Sequence, residues 1–241
     1  RSIMKYCNGG IFLDSDKITI RNHKRFLAKT ENLIFAFKIL CNAAMFIKYK
    51  ISMDDMVEPK FVKNPMRFYH NACKKNWSKR IGFRNRSIGL KDFKIVDENF
   101  GKIQKMWELS ARTRNAIAFA MKSYRERFWS YSFLYNIFVL EAVFSSDEKK
   151  GMTRVVSRRV PKFLKDYETF TYEEIEDLYN LRSTIAHGKL PIETPDDQQS
   201  IEYTAKAEYI VSLVLKKLLT ENLYKIYNDS KKLDEFLKQF D

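Results

Sequence analysis

Apolar residues recur along most of this chain at three- and four-residue spacings, the mark of helices that bury one face. The period predicts a long helix from about Lys24 to Ile51, a short one from Met66 to Arg80, and a long one from about Asp97 to Arg125. From Phe128 to Phe144 the chain is apolar nearly all round, which predicts a helix buried at the centre of a bundle. SSDEKKG breaks it. Further helical patterns cover about 153–167, disturbed at Pro161, then 172–187, 198–227 and 231–240. Alternation with period two appears in GGIFLDSDKITIRN, read as two short strands around an Asp14–Ser15–Asp16 turn. Pro59 and Pro65 punctuate a linker, and IGFRNRSIGLKDF reads as a loop. The expected fold is therefore all-α, a helical bundle with a small N-terminal β-hairpin or strand pair.

The best-delimited element is FTYEEIEDLYNLRSTIAHGK, residues 170–189. Thr171 followed by Glu174 is a capping box, and Phe170 with Ile175 occupies the positions of a hydrophobic staple. Gly188 supplies a C-terminal cap, and Pro191 blocks continuation. At about 100° per residue, Ile175, Leu178, Tyr179, Leu181, Ile185 and Ala186 share an apolar arc, where Tyr179 reads as core. Arg182 falls in the middle of that arc. Glu176, Asn180, Ser183 and His187 gather on a polar strip beside it. A guanidinium on a core-facing stripe is costly unless it is paired or lines a cleft. The central helix carries the complementary anomaly: Glu141, in FVLEAVF, is flanked at helical spacing by Leu134, Ile137, Phe138 and Phe144. We infer that Glu141 pairs with Arg182 across the bundle. Two roles stay open for the pair: a structural contact that fixes helix register, or a carboxylate that orients the guanidinium fork for chemistry.

Composition narrows the setting. With seven Gly and five Pro in 241 residues, and 45% of residues apolar, a mostly helical chain with a substantial core is expected. Cys7, Cys41 and Cys73 form no close pair and no metal-ligand spacing. That sparse, odd count points to reduced thiols and a cytoplasmic location. No metal or cofactor is expected. The longest apolar run, LIFAFKILCNAAMFI, is too short to span a bilayer and contains Lys38 and Asn42, so no membrane association is expected. The chain opens on Arg1 rather than Met and shows no secretory signal, consistent with a segment of a longer protein.

Charge divides the chain. Residues 1–127 hold 28 Lys/Arg against 11 Asp/Glu, a net of +17, whereas residues 128–241 hold 16 against 19, a net of −3. Within 60–94 there are 11 basic residues and one acid, Asp92, interleaved with Phe61, Phe68, Tyr69, Trp77, Phe83 and Phe93. Cations that neutralise phosphates beside aromatics that stack on bases form a nucleic-acid footprint, with Lys74, Lys75, Lys79, Arg80, Arg84 and Arg86 as the candidate RNA contacts. The competing reading is a solvated Lys-rich surface over core aromatics. Residues 1–95 are accordingly read as a basic helical region, possessing RNA-binding character or forming the tail of a larger domain, and 96–241 as a second domain. His23 and His70 have no motif around them and are read as surface residues.

Three elements of the C-terminal half resemble a HEPN domain, most closely the Apea-like HEPN family: FVLEAVF at 138–144, the basic helix containing Arg158 and Arg159, and LYNLRSTIAHG at 178–188. The last holds the R-x-x-x-x-H signature of HEPN ribonucleases as Arg182 and His187. The resemblance covers roughly residues 100–230. It implies an all-α bundle, a homodimer, and metal-independent endoribonuclease activity in antiphage defence, abortive infection or a toxin system. The neighbouring 2′-OH would attack the phosphate to leave a 2′,3′-cyclic phosphate and a 5′-OH. Arg182 would stabilise the charge on the pentavalent phosphate, and His187 would transfer a proton, as imidazole suits. Glu141, Asn180 and Ser183 would support them. In this chain Ser183 follows the arginine where many HEPN nucleases carry Asn, Asp or His. Lys189 stands where the toxins silenced by a partner nucleotidyltransferase often carry tyrosine. The rival from another class is a catalytically silent HEPN scaffold that binds RNA or a protein partner.

If the 60–94 segment tracks a phosphate backbone, neutralising Lys74, Lys75, Lys79 and Arg80 together weakens RNA binding to a similar degree across sequences and flattens its salt dependence. Fluorescence anisotropy over a salt series checks this; an unchanged slope returns the segment to a solvated surface.

Overall fold

The computed structural model describes residues 89–126, 128–145, 151–190 and 198–241, with 32–33 and 35–41. Four short strands and residues 198–201 are described as backbone alone. The strands form two antiparallel pairs, Met4–Cys7 with Gly10–Leu13 and Tyr49–Ser52 with Lys60–Lys63. Gly10–Leu13 thus pairs with the residues before it; the expected partner beyond the Asp14–Ser15–Asp16 turn lies outside the described residues. Tyr49–Ser52 is extended where the sequence pattern continued a helix to Ile51. The expected 66–80 helix, His23, His70 and the RNA-contact candidates Lys74, Lys75, Lys79, Arg80, Arg84 and Arg86 also lie outside the described residues.

The helices are α1 (35–41), α2 (Leu90–Leu109), α3 (Ala111–Arg125), α4 (Trp129–Phe144), α5 (Met152–Leu164), α6 (Tyr172–Ala186), α7 (Gln198–Thr220) and α8 (Ser230–Lys238), with a 3-10 turn at Leu223–Asn228. Where the sequence pattern showed one helix over 97–125, there are two. Ser110 is extended, and its hydroxyl oxygen accepts the Thr113 N–H at 3.2 Å, so it starts a new helix in mid-pattern. The first of the pair begins seven residues early, inside the expected loop. Asp92, buried in its first turn, accepts the Gly89 N–H at 3.0 Å and secures that start. This helix therefore runs across the boundary expected at 95/96. The expected 198–227 helix stops at Thr220, because Asn222 takes up a left-handed backbone at φ 57°. Pro161 lies within α5, in its last turn.

α4 is the axis of the bundle, and α3, α5, α6 and α7 pack around it. Phe133, Ile137, Val139, Leu140 and Phe144 are fully buried. Each such side chain stabilises the fold by roughly 1.5–3 kcal/mol relative to exposure. On the α3 side, Phe119 packs against Tyr135 and Phe138, and the Ser123 and Ser132 hydroxyls lie 3.1 Å apart in a small polar contact; within α4 the Asn136 amide donates to the Ser132 carbonyl at 3.0 Å. α1 belongs to the same core. Its Phe35, Phe37 and Leu40 are buried there, Phe37 meets Phe93 edge-on with ring centres 4.9 Å apart, and Lys38 forms a buried ion pair with Glu208 of α7 while lying over the Tyr124 ring. Every described residue from 89 onward that belongs to a regular element is helical.

The C-terminal end of α4 lacks a glycine and is closed by side chains from three other elements. Tyr227 Oη donates to the Val143 carbonyl at 3.0 Å, Arg159 Nη1 to Phe144 at 2.7 Å, and Arg112 Nη1 to Ser145 at 2.8 Å. Arg159 also grips the Asp241 carboxylate through Nε and Nη2, at 2.8 and 2.9 Å. Two guanidinium charges at a helix C-terminus are electrostatically favourable as well.

Replacing Arg159 with Ala strips the Phe144 carbonyl and Asp241 of their donor. Because Arg159 is buried but Asp241 is partly exposed, the expected loss is about 2–3 kcal/mol of folding free energy. Urea denaturation of Arg159→Ala measures it, and Asp241→Asn is expected to lose less.

Candidate functional site

Local chemistry sets the ends of α6. The Thr171 hydroxyl oxygen accepts the Glu174 N–H at 3.2 Å, and the Glu174 carboxylate accepts the Thr171 N–H at 2.9 Å. The capping box expected from the sequence is complete. Glu174 also pairs with Lys206, which ties this end of α6 to α7. At the other end Gly188 adopts φ 69°, a left-handed conformation that glycine enters without a Cβ penalty. The Gly188 N–H then reaches the Ile185 carbonyl at 2.9 Å and the Lys189 N–H reaches Thr184 at 3.0 Å, a full Schellman motif. His187 is the C-cap residue of this ending.

Held this way, α6 presents the two faces expected of it. Ile175, Leu178, Tyr179 and Ile185 are buried against the bundle. Asn180, Ser183 and His187 are exposed on the polar strip. Arg182 turns toward α4, and its Nη2 lies 3.5 Å from Glu141 Oε1. The cross-bundle partner is thus the one inferred from the two misplaced charges. Two details differ from expectation. The pair is half-buried rather than buried, with 39% of the Arg182 side chain and 22% of Glu141 exposed. The contact is also a single long approach, not a two-pronged fork. Leu181 is half-buried and Ala186 exposed, so the apolar arc opens to solvent at this end of the helix. That opening is why the guanidinium is half-wet.

Electrostatics around the pair are unbalanced. Burial pushes the Glu141 carboxyl above its ordinary value, and the nearby Arg182 charge pulls it down without cancelling the effect. The Arg182 Nε is buried with no hydrogen-bond partner. So is the hydroxyl of Tyr179, three residues earlier on the same face. Burial, followed by the Glu141 charge, drives that phenol well above its ordinary value, against the opposing pull of Arg182. The sequence places Tyr179 in the core, and the whole residue is buried, hydroxyl included; what the pattern does not reveal is that the hydroxyl has no hydrogen-bond partner. The available signal was the choice of tyrosine over phenylalanine on an apolar stripe one turn before an arginine.

Three other guanidiniums of the bundle are committed elsewhere. Arg159, part of the basic helix noted in the sequence, and Arg112 close the end of α4; Arg114 Nε donates to the Trp107 carbonyl at 3.2 Å. Arg182 differs from those three: it is held by one long contact, partly exposed, and projects from a helix capped at both ends. Such a group is available to a phosphate or carboxylate ligand. Among the described residues no cluster of three His, Cys, Asp or Glu side chains is arranged to hold a metal ion, and no helix is long and apolar enough to cross a membrane.

Glu141 has its proton affinity raised by folding. The folded form therefore keeps a proton over a window just above the ordinary carboxyl value of 4.5, and the stability this group contributes declines as pH rises through that window. Glu141→Gln carries no such dependence. It is expected to match the wild-type protein below pH 4.5 and to gain on it toward neutral pH in paired urea melts.

Comparison with protein-family models, with curated proteins and with solved structures finds no match to this chain.

Proposed function

We propose that this chain is a metal-independent endoribonuclease of the HEPN type, acting as a homodimer on RNA in antiphage defence, abortive infection or a toxin system. The observation that carries the reading is the state of Arg182. It is a half-exposed guanidinium, loosely held by Glu141, on a helix whose C-cap five residues later is an exposed histidine. Arg182 would bind the scissile phosphate and stabilise the charge that accumulates on its oxygens. His187 would move the proton between the 2′-OH, the imidazole and the 5′-oxygen. Asn180 and Ser183, exposed on the same strip as His187, would contact phosphate oxygens or orient the ring.

Arg182 and His187 point about 140° apart on a regular helix. Two copies of α6 facing across a two-fold axis would bring both arginines and both histidines around one cleft, so the site is composite, one per dimer. The basic N-terminal half would hold the rest of the RNA. Glu141 then has a use beyond register: it holds Arg182 near the cleft without quenching it.

The test is cleavage of tRNA and mRNA by purified protein in EDTA. The expected products end in 2′,3′-cyclic phosphate, and Arg182→Ala or His187→Ala is expected to reduce the rate at least about 100-fold. A heterodimer of wild type with the Arg182→Ala/His187→Ala double variant is expected to lose nearly all activity. Retention of half the activity would overturn the composite site, and intact RNA that binds tightly would identify a silent RNA-binding scaffold instead.

A further inference from the structure

Buried donors without a hydrogen-bond partner are uncommon, because each gives up its hydrogen bonds to water without replacement. Here two lie on one face of α6, three residues apart: the Tyr179 hydroxyl and the Arg182 Nε. Tyr179 is 3% exposed, so solvent does not satisfy its hydroxyl. The charges that act on it are the Glu141 carboxylate and the Arg182 guanidinium. Tyr179 lies one turn from Arg182 on the same helix face, within the field of Glu141, whose one partner is Arg182 at 3.5 Å. A resting arrangement that leaves two donors unmet beside a carboxylate is suited to a second arrangement in which they are met.

We infer that Tyr179 is a positioning residue for Arg182: its hydroxyl takes over the Glu141 carboxylate when the guanidinium turns outward to a phosphate. At rest Glu141 faces Arg182. Once Arg182 engages an RNA phosphate, Glu141 would otherwise be left half-buried and unpaired, a cost that opposes the movement. A donated O–H from Tyr179 to the carboxylate removes that cost, and the outward turn gives Arg182 Nε the ligand it lacks. The cluster is thus an exchange of partners in which the number of met donors rises on RNA binding. This rests on the reading of Arg182 as a phosphate-binding residue, but not on catalysis.

The experiment is a double-mutant cycle of Tyr179→Phe and Glu141→Gln, read by anisotropy with a 2′-O-methyl RNA oligonucleotide that resists cleavage and by melting temperature without RNA. Tyr179→Phe keeps the ring and removes a hydroxyl that is unpartnered at rest, so its melting temperature is expected to equal or exceed that of the wild type. Its affinity is expected to fall about tenfold, the scale of one hydrogen bond to a charged acceptor. In the Glu141→Gln background the same substitution is expected to change affinity less than about threefold, since the carboxylate it serves is gone. A lowered melting temperature with equal losses in both backgrounds would make Tyr179 a packing residue and overturn the inference. So would unchanged affinity in Tyr179→Phe, or no binding by the wild type. If the wild type binds this probe with the expected coupling but leaves natural RNA intact, the partner exchange stands and the nuclease reading fails.

Discussion

The carbonyl end of α4 is the constraint on which the rest of the bundle depends. A helix apolar on nearly every side ends in the protein interior, where unmet carbonyls are expensive and water is scarce. Three donors close it: a phenol from the 3-10 turn, a guanidinium from α5 and another from α3. Each of these segments is therefore held in place by the same few atoms. Glu141 lies one helical turn before that end, at a rise of about 4.5 Å from Phe144. Its position relative to α6 is inherited from the closure, and so is the position of Arg182.

The ion pairs of the bundle differ in what they leave unfulfilled. Arg159 has three short bonds and is nearly inaccessible, so its charge is used up in holding two chain segments together. Lys38 and Glu208 bury each other between α1 and α7, with an aromatic face over the ammonium. Arg182 and Glu141 touch at one long distance and remain half in solvent. The first two have the character of fasteners. The third has unused donors and a neighbour with an idle hydroxyl, the condition under which a charge is exchanged between partners rather than fixed to one.

What could be read from the sequence was what is decided within a few residues. The capping box at Thr171 and Glu174 and the left-handed Gly188 are local chemistry, and both are found where the sequence put them. Glu141 with Arg182 was also legible, because a charge of each sign on an apolar stripe leaves few other partners. How deep they sit was not, since that depends on where the apolar arc opens, and Ala186 is exposed. The break at Ser110 was hidden for another reason: apolar spacing continues across it, and only the backbone turning extended reveals a cap. The partners of Arg159 and Lys38 are not legible in the sequence because they lie 82 and 170 residues away. Even so, VSRRVPKFL and LIFAFKIL each place a cation inside an apolar run, the same anomaly that Arg182 presents.

The pairing of Lys38 with Glu208 bears on what counts as an independent unit here. A piece beginning near residue 90 would retain every long helix among the described residues and look complete as a bundle. It would also leave the Glu208 carboxylate facing an apolar hole where α1 had been, with Phe93 stripped of its cover. The seven residues of α1 are thus a keystone set far from the arch it closes. Excising the helical half for expression would call for a neutral residue at 208 and a polar one at 93, or else for carrying the distant segment along.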